Sequence, residues 1–129
     1  GLKVLYCDTE CGENVLVNRY KSIKENFDWN EQGRFALLPK TSNTDNIYDD
    51  LAQHIEAYQP DIVMIDCLYN TTDGADKSKN YYISLVLNRI TELKKEYDIT
   101  IIAVHHMNKG NHELGLTKDR MSGGSALHN

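Results

Sequence analysis

At 129 residues and 14.8 kDa, the chain has room for one domain with a real core but is small for a complete α/β enzyme. A net charge of −5 and an isoelectric point near 5.5 exclude a protein that coats nucleic acid indiscriminately, while allowing a local basic loop. Three cysteines, and no apolar run near the ~18 residues of a membrane span, point to a reduced cytoplasmic protein without a disulfide framework.

The first element is a strand over about residues 3–9, where Lys3-Val4-Leu5-Tyr6-Cys7-Asp8-Thr9-Glu10 runs from apolar residues into carboxylates. A helix from about Glu13 to Asn26 follows, with Val15, Leu16, Tyr20, Ile23 and Phe27 forming one apolar face at helical spacing. A short strand from Arg34 to Leu38 stops at Pro39. The second helix opens behind Thr44 or Asp45, either of which can cap it, and is expected to bury Ile47, Leu51, Ile55 and Tyr58.

Pro60 opens the third strand, Asp61-Ile62-Val63-Met64-Ile65-Asp66, whose β-branched run reads as buried on both faces. A polar loop at 70–78 leads to a helix over about Lys79–Tyr97, with Tyr82, Val86, Ile90 and Leu93 on one stripe. The fourth strand is Ile99 to Val104, followed by a polar, glycine-bearing stretch at 108–124. Alternating strands and helices demand a parallel sheet with right-handed crossovers. Both chain ends look cut, since a strand begins at once and Ser125–Asn129 supplies no closing element.

Ligands of open parallel sheets bind at the carboxyl ends of the strands, so the residues standing there carry the functional reading. Asp66 ends an apolar strand, where an acid can hold a hydrated Mg²⁺ or merely cap the next loop. Asp8 and Glu10, two apart on a strand, are expected to share a face, and one of them can polarise an attacking water. Asp8 as a turn former and Glu10 as a solvated side chain is the plainer alternative. His105 and His106, neighbours at a strand end, point to opposite sides and are poorly placed to chelate one metal together. One is expected to face the crevice while the other packs or caps. With His112 they hint at zinc, but no second ligand stands at a known metal spacing. Cys7 and Cys67 read as small apolar core side chains. Lys77 and Lys79 in one loop, and Lys109, Lys118 and Arg120 in the other, are the basic clusters able to touch phosphates. Backbone amides of Ser122-Gly123-Gly124-Ser125 can cradle an anion, though such loops are common.

Taken in order, Leu5-Tyr6-Cys7-Asp8-Thr9-Glu10, the apolar strand ending at Asp66, and His105-His106-Met107-Asn108-Lys109 resemble the core of a RecA/DnaB-type P-loop ATPase. The resemblance is to its RepA-like branch of hexameric helicases and mobile-element DNA repair and recombination ATPases. Arg120-Met121-Ser122-Gly123-Gly124-Ser125-Ala126-Leu127 matches a further motif of that branch more loosely. The resemblance implies Glu10 as the water-activating residue and Asp66 as the Mg²⁺ ligand through water. It implies His106 as γ-phosphate sensor, with Lys109 beside it in the nucleotide site. It also implies a truncated RecA-like sheet in which the second strand flanks the first, then come the third and fourth, with the P-loop strand belonging beside the fourth. The two basic loops, bearing Lys77, Lys79, Lys109, Lys118 and Arg120, would meet DNA.

No G-x-x-x-x-G-K-[ST] occurs in the chain, so residues 1–129 are expected to be a partial ATPase domain, its Walker A portion upstream and its closing strands downstream. The expected parent is a cytoplasmic, ring-forming homo-oligomer that uses ATP and Mg²⁺ to process single-stranded DNA, with no membrane association. The isolated chain is expected to be inactive, with no ATP or Mg²⁺ bound. Two further readings belong to other classes: a non-catalytic ATPase-like domain serving assembly or partner binding, and a small metal-dependent hydrolase using Asp8, Asp66 and the histidines.

Overall fold

A computed structural model describes residues 1–40, 47–68, 71 and 81–106, apart from the side chain of Tyr82. In chain order the elements are β1 (Val4–Asp8), α1 (Glu13–Phe27), β2 (Phe35–Leu38), α2 (Ile47–Tyr58), β3 (Ile62–Asp66), α3 (Tyr81–Tyr97) and β4 (Thr100–Val104). The strands form one sheet in the order β2-β1-β3-β4, every pair parallel. This is the order that the resemblance implied. Its registers align Tyr6 with Met64 and Asp8 with Asp66 across β1 and β3, and Asp66 with Val104 across β3 and β4.

Successive strand residues face opposite sides, so the register sorts the sheet into two surfaces. Leu5, Cys7, Leu38, Val63 and Ile65 lie on one and form the main core with Tyr48, Leu51 and Ile55 of α2 and Val86 and Leu93 of α3. The expected α3 stripe holds for Val86, Leu93 and the partly buried Ile90, and Ile83 joins it fully buried; the side chain of Tyr82 lies outside the described residues. The second helix starts in the structure at Ile47, and the caps expected at Thr44 or Asp45 fall outside the described residues.

Tyr6, Phe35 and Leu37 lie on the opposite surface, against Leu16, Tyr20 and Ile23 of α1 and Trp29 beyond it. Right-handed crossovers explain this division, because the chain steps one way from β1 to β2 and the other way from β2 to β3 and β4. The apolar face expected of α1 is mostly open. Leu16 is buried, but Val15 and Ile23 are each 48% exposed and Phe27 77%. The helix packs by its middle over an aromatic group of Tyr20, Trp29 and Phe35, whose ring centroids lie 5.0–5.8 Å apart. Its last turn runs past that group to Asp28, whose left-handed backbone at φ 48° ends the helix.

Candidate site at the carboxyl ends of the strands

Three of the four segments that leave the sheet at its carboxyl edge build the site: the turn after Asp8, the residue after Asp66, and the pair after Val104. Asp8 shapes the first. Its Oδ1 accepts the backbone N–H groups of Glu10 (2.8 Å) and Cys11 (2.7 Å), which folds the chain into a turn as soon as β1 ends. The two carboxylates therefore do not share a strand face, as the spacing alone had suggested. Asp8 is buried and holds the turn, while Glu10 stands at its outer side.

Thr9 ties that turn to the end of β3. Its N–H donates to the Asp66 carbonyl at 2.7 Å, and its buried hydroxyl both accepts the Cys67 N–H at 2.8 Å and donates to the Cys67 carbonyl at 2.9 Å. The backbone of Cys67 is thereby pinned in both directions, across a cis Asp66–Cys67 peptide bond. Its thiol is fully buried, yet it is directed to the edge of the sheet, where Sγ lies 3.4 Å from Glu10 Oε1 and 3.1 Å from His106 Nε2. His106 Nε2 in turn lies 3.2 Å from Glu10 Oε1. Glu10, Cys67 and His106 thus form a closed triangle of donor atoms. Hydrogen bonding from His106, then from Cys67, holds the Glu10 carboxyl below its ordinary range.

Asp66 occupies the opposite surface of the sheet at the same edge. Its Oδ2 accepts the Tyr6 hydroxyl at 2.8 Å. Burial, followed by this bond to the carboxylate, pushes the Tyr6 phenol far above its ordinary value, so the hydroxyl stays a donor. Asp66 by itself suits a hydrated Mg²⁺, since a partly exposed strand-end carboxylate can accept from the ion's waters. His106 is the histidine in the triangle; His105 is half-buried and outside it. Cys67 is the member that the sequence reading placed in the core. Lys77, Lys79, Lys109, Lys118, Arg120 and the Ser122–Ser125 loop lie outside the described residues.

Comparison with known proteins places this edge in context. The AAA domain family model matches residues 1–112. No curated protein matches the chain. Among solved structures it is similar to a KaiC-like protein from the hyperthermophilic archaeon Pyrococcus horikoshii, with a TM-score of 0.57 and 18% identity over 80% of this chain. It spans 46% of that protein's chain, so the likeness is to a partial RecA-like core and is one of fold. None of the described helices is long and apolar enough to cross a membrane.

Proposed function

The chain belongs to the AAA domain family, and on that basis we propose that it is part of an ATP-dependent DNA-processing motor, a helicase or a recombination and repair ATPase acting on single-stranded DNA. The observation that carries the reading is the gathering of Glu10, Asp66 and His106 at the edge where parallel sheets hold their ligands. The phosphate-binding loop that hydrolysis requires is not among these 129 residues. The proposal assigns it to the part of a longer domain that this chain does not span.

In this reading each residue has one task. Mg²⁺, when bound, supplies positive charge to the phosphate oxygens as they gain negative charge. Asp66 would hold the ion through its water, while Tyr6 fixes the carboxylate through Oδ2. Glu10, kept ionised by His106 and Cys67, accepts a proton from the attacking water and sets its direction. His106 joins Glu10 to the end of β4, so a movement of the ring reaches the chain beyond it. Lys109 belongs to the same nucleotide set, and Lys77, Lys79, Lys118 and Arg120 join it in binding the DNA backbone. The protein works in the cytoplasm as a homo-oligomeric ring.

ATP hydrolysis by the complete gene product, measured with and without single-stranded DNA, tests the proposal. Turnover should require Mg²⁺, rise with DNA and vanish in Asp66→Asn. The 129-residue chain alone should be inactive, and Asp66-dependent turnover by it would overturn the partial-domain reading. Charge removal at Lys77, Lys79, Lys109 and Lys118 should weaken DNA binding evenly across sequences and flatten its salt dependence. Tight nucleotide binding without any turnover would instead favour a non-catalytic assembly domain.

A further inference from the structure

The triangle of Glu10, Cys67 and His106 is an unusual composition for a site handling only water, Mg²⁺ and phosphate. Magnesium selects oxygen ligands in octahedral array, and a thiol and an imidazole nitrogen offer it nothing. A thiol, an imidazole and a carboxylate together are the donor set of zinc. The spacing agrees. Donor atoms on a tetrahedral zinc, at its usual bond lengths, stand about 3.3–3.6 Å apart. The three edges here are 3.1, 3.2 and 3.4 Å, so each needs to open by only a few tenths of an ångström.

Two more observations separate this arrangement from chance proximity. Cys7 and Cys67 are both buried, but Cys7 packs within the main core cluster and Cys67 lies outside it. Burial, reinforced by Asp8 and Asp50, pushes the Cys7 thiol up to about 12, as suits an inert core thiol. Cys67 instead has its sulfur against two polar ligand atoms, on a backbone clamped by Thr9. Second, the three ligand atoms converge from the ends of three different strands. The side chains of Glu10 and His106 are 48% and 53% exposed, which leaves a fourth position open to solvent.

We propose that Glu10, Cys67 and His106 form a site for a zinc-class divalent cation, and that filling it withdraws Glu10 from the attacking water. The site is thus an inhibitory one laid over the hydrolytic edge. Its inhibitory half rests on the function proposed above; its metal-binding half does not. Binding exchanges the thiol proton of Cys67 for the metal and breaks the Glu10–His106 hydrogen bond, so Glu10 and His106 become ligands in place of partners.

The test is titration of the tag-free, reduced 129-residue chain with Co²⁺, displaced afterwards by Zn²⁺. The expected result is one equivalent bound, with a thiolate-to-cobalt charge-transfer band that disappears in Cys67→Ser. In His106→Ala, whose exposed ring leaves folding intact, affinity should fall by more than the roughly 10- to 100-fold cost of losing an outer partner. Cys11→Ala should bind as the parent does. Absence of the band, or its persistence in Cys67→Ser, overturns the site. In the complete protein, zinc sufficient to fill the site should halt ATP turnover. Undiminished turnover with the site filled overturns the inhibitory role. A complete protein that never hydrolyses ATP counts against the proposed function and leaves the cobalt result to judge the metal site.

Discussion

The two surfaces of the sheet are built to different standards. On one, two helices close over Leu5, Cys7, Val63 and Ile65 and leave these side chains almost no water contact. On the other, among the described residues, α1 covers β1 and β2 through an aromatic group, while Ile102 and Val104 of β4 remain 47% and 43% exposed. One surface is closed by its helices, and the other, among the described residues, leaves apolar side chains exposed. Among the described residues β4 is an edge strand, and a β-branched, uncharged edge is the kind that pairs with further chain or with another molecule. The candidate site lies along the carboxyl edge where these two surfaces meet.

Substitutions that treat the surfaces alike should expose the difference. Ile65→Ala on the closed surface should cost about 2–5 kcal/mol, because the cavity it leaves is fully walled. Ile102→Ala on the open surface should cost less than about 1 kcal/mol, since little burial is lost. Urea midpoints of the two variants measure the contrast, and equal losses would mean that the open surface is covered. At the edge between them, Thr9→Val removes the hydroxyl serving both the N–H and the carbonyl of Cys67. Unpaired buried groups of this kind cost about 1–3 kcal/mol. The same variant should weaken Co²⁺ binding, because the sulfur loses its anchored backbone.

Smaller effects are expected under α1. Trp29→Leu removes the edge-on contacts to Tyr20 and Phe35, and should cost about 0.5–1.5 kcal/mol beyond the lost area. Trp29 is the chain's one tryptophan, so its own fluorescence in the parent follows the loosening of this group. The pH dependence of the same corner should be slighter still. The Tyr20 hydroxyl, a backbone N–H and Lys24 together hold the Glu31 carboxyl below its ordinary value of 4.5. The folded carboxyl is thus the stronger acid, so its stabilisation is present above the ordinary value and lost as pH falls through the folded one. Tyr20→Phe should lose stability at neutral pH and converge on the parent in acid. A constant difference across that range would place the effect in ring packing instead.

How far the sequence reached can be told residue by residue. Strand and helix placement was legible because β-branched runs and helical spacing survive into the fold almost unchanged: β1, β3 and β4 end within a residue of where those runs end. The strand order came from the family resemblance, since runs and spacing do not say which strands are neighbours. The exposure of Val15, Ile23 and Phe27 was not legible. Helical spacing tells which side chains share a stripe, but not how much of the stripe finds a partner. Of the two readings of Asp8 and Glu10, the shared strand face fails and Asp8 as a turn former holds, a choice that depends on a side-chain bond that spacing does not reveal. Cys67 was hidden for a similar reason. Alternation would send it to the core with Val63 and Ile65, but the strand stops at Asp66 and the alternation stops with it.

In the proposed function this carboxyl edge hydrolyses ATP with Glu10 as the residue that activates water. Single-turnover hydrolysis by the complete protein carrying Glu10→Gln tests it most directly, because glutamine keeps the shape and removes the base. ATP binding should stay close to that of the parent, with hydrolysis slowed about 10²- to 10⁴-fold. Hydrolysis at the parent's rate would contradict it.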